Sequence, residues 1–132
     1  MHQLHEDKFL RILWDEETRI ISIDWKEATS VMTDKDFKAE LTLFAQQVED
    51  KKAPRILIDV TKFRHRPGPD VGAWRLKNIS TRYNIAGVKR CAFLVSQETP
   101  ISSKSEPREG EQFLTRSLNS REQAIAWLIA SE

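Results

Sequence analysis

The chain has a single cysteine, Cys91, among its 132 residues, so no internal disulfide can brace it and packing has to supply the stability. Glycine (four) and proline (five) are also scarce. That scarcity leaves no flexible linker, no repeat and no glycine-rich phosphate cradle. Walker loops, dinucleotide fingerprints, nucleophile elbows and zinc-type spacings are all missing, so no cofactor is expected. No apolar run approaches the ~18–20 residues of a membrane span. The start, Met1-His2-Gln3-Leu4-His5-Glu6-Asp7, has neither the basic beginning nor the apolar centre of a secretory signal. Residues 1–7 are expected to be flexible, and the protein to be cytoplasmic.

What is present suits one domain over residues 1–132, with 39% apolar residues to build a core. Charge is balanced overall, 21 bases against 20 acids, and a pI near 7.9 predicts no nucleic-acid partner. The balance hides polarity. Residues 51–90 carry eleven Lys/Arg against Asp59 and Asp70, a local +9, whereas residues 1–50 stand at −6 and residues 91–132 at −2.

Phe9 to Trp14 and Arg19 to Trp25 are rich in β-formers around the polar turn Asp15-Glu16-Glu17-Thr18, which predicts an antiparallel hairpin. Thr33 suits an N-cap, with Asp34 and Asp36 in the first turn. Phe37, Leu41, Phe44 and Val48 make a helical stripe that ends near Lys51-Lys52, before Pro54. Ile56-Leu57-Ile58-Asp59-Val60 and Cys91-Ala92-Phe93-Leu94-Val95 are apolar enough to be strands covered on both faces. Between them a helix is predicted from about Pro69 to Asn84, with Gly72, Leu76, Ile79 and Tyr83 inward and Gly87 just past its end. Strand, helix, strand in this form is a parallel crossover. Residues 96–111 form a long loop containing Ser102, Ser103 and Ser105, which could accept a modification or be plain polar loop. A strand near Gln112 to Arg116 and a helix opened by the capping box Ser120-Arg121-Glu122-Gln123 complete the chain. The predicted order is β-β-α-β-α-β-β-α, an α/β fold with a mixed sheet and a parallel βαβ core.

This order resembles a STAS-type domain, in its SpoIIAA-like branch. The residues carrying the resemblance are Ile56 to Val60 with their terminal acid, the strand Lys89 to Val95, and the segment Phe113 to Leu128, in which Ser120, Glu122, Ala124, Trp127 and Leu128 follow the branch's ending. The resemblance implies a non-catalytic regulatory domain that binds a partner protein, often through a phosphorylatable Ser or Thr at the helix start after the central strand, and sometimes a nucleotide or lipid. Here that helix start is Arg66-Pro67-Gly68-Pro69-Asp70-Val71-Gly72, with neither residue.

The predicted working surface is the loop Lys62, Phe63, Arg64, His65 and Arg66 with Trp74, Arg75, Lys77 and Arg82 on the following helix. The loop could meet an acidic partner, an anionic small ligand or lipid, or merely be solvated. Pro67 and Pro69 remove two amide donors, and Asp70 repels an anion or caps the helix, which weighs against a phosphate cradle. Trp74 falls opposite the inner stripe. It either stands exposed among arginines, as in a protein-binding hot spot, or folds back on Phe63.

No Cys, Asp or Glu spacing completes a metal site around His2 and His5, and His65 stands in the basic loop, so no metal site is expected. Cys91 begins a buried strand without an evident base, which predicts an inert thiol and no enzyme. Asp24 and Asp59 are strand carboxylates that nothing in the sequence brings together. A small-ligand or lipid pocket between sheet and helices is the alternative to a partner surface. A homodimer through an edge strand or the Trp74 face is also open.

Overall fold

The computed structural model describes residues 1–99 and 107–130. One six-stranded sheet runs in sequence order: β1 (His2–Glu6), β2 (Leu10–Asp15), β3 (Ile20–Trp25), β4 (Arg55–Asp59), β5 (Arg90–Leu94) and β6 (Leu114–Leu118). The first two pairings are antiparallel and the last three parallel. This is the α/β class with a mixed sheet and a parallel βαβ core. Two features differ from the sequence expectation. The first residues are not loose: His2–Glu6 pairs with β2 as an added edge strand. A short 3-10 turn, Glu27–Val31, also precedes the first long helix.

α1 (Asp34–Lys51) opens with Thr33 and Asp36 in a reciprocal capping box, and closes where Lys52 takes a left-handed conformation. Its inner side, Phe37, Leu41, Phe44, Ala45 and Val48, covers one face of the sheet together with Leu10, Ile12, Trp14, Ile21, Ile23, Ile56 and Cys91. The opposite face is covered by α4 (Arg121–Ile129), where Ala124 and Leu128 meet Leu57, Ala92, Leu94 and Leu118. Ser120 forms its half of the expected box, accepting from the Gln123 amide at 3.4 Å. Burial on both faces is why β4 and β5 are almost wholly apolar.

The crossover from β4 to β5 is one helical run: α2 (Val71–Arg75), a π-helical turn (Leu76–Ser80) and α3 (Thr81–Ala86), stopped by Gly87 at φ 91°. The π turn shifts the first half of the expected inner stripe, while Ile79 and Tyr83 are buried as expected. A wider turn rotates the face, so Val71, Ile79, Ser80 and Tyr83 are buried, whereas Gly72 is exposed and Leu76 half-buried. At spacing four, Arg75 joins the inner row. Asp70 precedes the helix without making a side-chain cap.

Several bases of the +9 stretch are structural. Arg55 at the start of β4 donates to the Leu128 carbonyl at 2.9 Å and the Thr18 carbonyl at 2.7 Å. Arg90 at the start of β5 stacks on Trp127 and donates to its carbonyl. Both place positive charge at the C-terminal end of α4, where the helix dipole favours it.

Candidate functional site

The loop after β4 is folded inward. Asp59 Oδ1 accepts from the Thr61 amide at 2.9 Å and the Thr61 hydroxyl at 2.6 Å, which turns the chain off the sheet. Phe63 then packs between Trp25 (ring centroids 5.0 Å apart) and Phe37 (5.6 Å), with His65 beside both phenyl rings. The Arg64 amide donates to Thr29 Oγ1 at 2.8 Å. His65 Nε2 lies 2.8 Å from Asp34 Oδ1, and the Gly68 amide donates to the same carboxylate. These donors hold Asp34 below its ordinary pKa of 3.8, His65 first and then the Gly68 amide.

The predicted surface therefore divides. Lys62, Arg64, Arg66 and Lys77 are exposed. Phe63, His65, Trp74, Arg75 and Arg82 are half-buried, and all of these but Arg75 serve the fold. Trp74 packs against the main core with Lys38 Nζ 5.5 Å from its ring centroid, so it folds down rather than standing clear. Its named neighbour is Lys38 of α1. Arg82 is paired with Glu49 of α1, its Nε 2.9 Å from Oε2. That pairing raises Arg82 and lowers Glu49 from their ordinary pKa values.

Arg75 is different. It lines a cavity of about 190 Å³ between the helical run and the sheet, walled by Ile58, Val60, Phe63, Ile79, Cys91 and Phe93. Burial, then the nearby charge of Arg108, lower its pKa. Among the described residues nothing accepts a hydrogen bond from its guanidinium. The neighbouring carboxylate is fully used: Glu111 accepts from the Arg108 amide (3.0 Å), from Arg108 Nε (3.2 Å) and Nη2 (3.0 Å), and from Thr115 Oγ1 (2.6 Å). Arg108 also lies over the Phe93 ring at 4.9 Å. An apolar cavity thus ends in two guanidinium groups and one committed carboxylate, a net positive end. It sits near the carboxyl ends of β4 and β5, where open α/β sheets usually bind ligands.

Arg108 and Glu111 were not legible as site residues. They lie in a loop whose composition carries no motif, and only the return of the chain to β6 brings Arg108 over Phe93 and Glu111 beside it. Ser102, Ser103 and Ser105 lie outside the described residues. Burial pushes the Cys91 thiol up to about 12. Asp24 and Asp59 do meet, as register partners on β3 and β4, yet Arg121 bridges them at 3.4 and 2.9 Å and Arg11 holds Asp24 at 3.0 Å. Among the described residues, no helix is long and apolar enough to cross a membrane.

Comparison with protein-family models, with curated proteins and with solved structures found no match to this chain.

Proposed function

We propose that this is a non-catalytic, STAS-like domain that binds a small amphipathic anion in the cavity beneath the π turn, with Arg75 as the anionic anchor. The observation that carries the reading is the half-buried Arg75 guanidinium, which has no acceptor among the described residues and lies beside an apolar cavity. A guanidinium in that setting has given up water without gaining a partner, which is costly until an anion arrives. Apolar cavities of ~150 Å³ take benzene-sized guests, so one somewhat larger suits a branched or aromatic carboxylate of about seven to ten non-hydrogen atoms. Ile79 and Phe93 would grip the apolar body, while Arg75 and Arg108 would take the carboxylate. Calorimetric titration with a panel of such carboxylates and their neutral amides is the test. Arg75→Met keeps the apolar stem and removes the charge. Binding should fall about tenfold or more in the variant, and to a similar degree for the amide. Equal affinity for the parent and Arg75→Met, or no binding by any member of the panel, would overturn the reading.

A second reading rests on a separate observation. Lys62, Arg64 and Arg66 project from a loop whose backbone is pinned to Thr29 and Asp34, with Lys77 exposed on the helix that follows. Charges on a pre-ordered loop lose less freedom on association, which suits an acidic face of a regulatory protein partner. Reversing Lys62, Arg64 and Arg66 to Glu together should abolish capture of that partner and leave carboxylate binding intact.

A further inference from the structure

The turn between β1 and β2 brings three groups together against α1. A register irregularity between Gln3 and His5 breaks the pairing of β1 with β2, since Gln3 faces Leu13 and His5 faces Ile12. The extra residue, Leu4, packs on the main core, and a bulge of this kind re-aims the side chain that follows it. His5 Nε2 then lies 2.7 Å from Asp7 Oδ2. The other Asp7 oxygen is held by the turn itself, accepting from the Phe9 amide at 2.8 Å and the Leu10 amide at 3.1 Å. From α1 comes Glu40, which occupies a core-facing position between Phe37, Leu41 and Phe44.

An acid on an apolar stripe breaks the local rule for a surface helix, and such breaks concentrate at functional sites. Glu40 is 8% exposed, and its Oε2 is buried with no hydrogen-bond partner among the described residues. One ligand atom each from His5, Asp7 and Glu40 lie within 4.8 Å of one another. The nearby ammonium groups are engaged elsewhere. Lys26 Nζ binds Glu6 Oε2 and the Asp7 carbonyl, each at 2.7 Å, and Lys8 Nζ sits 5.5 Å from the Phe9 ring centroid. A groove of about 250 Å³ lined by Asp7, Lys8, Phe9, Asp36, Ala39 and Glu40 opens onto the cluster.

We propose that His5, Asp7 and Glu40 bind one divalent transition-metal ion of the zinc class, with the groove side left for water. One imidazole nitrogen and two carboxylate oxygens form a donor set such ions accept, and three protein ligands leave a position open. The ion supplies what the cluster lacks: a positive charge facing the buried Glu40 oxygen.

The test is calorimetry of tag-free, chelator-treated protein with Zn²⁺ at neutral pH. One equivalent should bind in the micromolar range or tighter. Glu40→Gln and His5→Ala should each weaken binding about tenfold or more. His2→Ala, on the exposed end of the same strand, should leave it unchanged. Thermal melts without metal report folding. If Glu40→Gln fails to fold, His5→Ala in the edge strand decides alone. No binding in the micromolar range, full affinity in the folded Glu40 or His5 variant, or loss of binding in His2→Ala would overturn the assignment.

Discussion

His65 Nε2 lies 2.8 Å from Asp34 Oδ1, so the loop that follows β4 is fastened to the first turn of α1. A lowered Asp34 pKa means an ionised, acceptor-only carboxylate at neutral pH, so the imidazole N–H donates. Gly68 completes the fastening. A Cβ there would come within 2.6 Å of Asp34 Oδ2, so no larger residue fits without moving the carboxylate. Asp34→Ala and Gly68→Ala should both speed proteolysis within residues 61–70 by several-fold, with little change in the rest of the digest. Because the folded pKa of Asp34 lies below 3.8, its contribution is present at neutral pH and is lost as acid takes the solution through that lower value. In strong acid the parent should be cut as fast as the variants. Equal cutting rates at neutral pH would show that the contact does not fasten the loop.

Trp74→Ala should lower stability by about 1–3 kcal/mol, less than a fully buried tryptophan would, because Trp74 is half-buried against the core. Lys77→Ala, on the exposed side of the same helical run, should fall within about 0.5 kcal/mol of the parent. Urea unfolding of both variants separates the two roles. An unchanged midpoint for Trp74→Ala would return this residue to the exposed surface.

Glu40 makes stability depend on pH. Burial first, then the Asp7 carboxyl, raise it from 4.5 to about 8. Across that window the folded state binds more protons than the unfolded state, so metal-free stability should fall as pH rises from 4.5 toward about 8. Glu40→Gln cannot ionise, and it should flatten this slope and melt higher than the parent on the alkaline side. Melting curves at a series of pH values in chelating buffer check the sign. A slope unchanged by Glu40→Gln would assign the pH dependence to other groups.

Cys91 should behave as an inert wall of the cavity. It is 2% exposed and its thiol is pushed up to about 12, so little thiolate forms at neutral pH. A thiol reagent should label it at least a hundredfold more slowly in the folded protein than in denaturant, and a cavity-bound carboxylate should slow labelling further. Rapid stoichiometric labelling of the folded protein would show that the cavity opens readily to solvent.

The sequence alone determined the parts that depend on short-range pattern. Alternation and β-branched runs marked β2 to β5, Thr33 and Ser120 marked helix starts, and Gly87 marked a stop, because each depends on groups a few residues apart. The β1 strand was missed because its His, Gln and Glu residues carry no strand signal and it is held by pairing with β2. The first half of the inner stripe of the second crossover was misplaced because a π turn shifts the helical phase, and nothing in Leu76–Ser80 announces one. The sites depended on distant partners. The +9 stretch drew attention to the loop after β4, but it took Asp34, Glu49 and the C-terminal end of α4 to show which bases serve the fold. Arg75 became a cavity residue through the phase shift, with Arg108 brought in from a featureless loop. His5 and Asp7 met Glu40 only because a bulge and a turn set them against a helix thirty-odd residues away. Local periodicity encodes which faces are apolar, whereas only the tertiary fold decides which charges are paired and which are left without a partner.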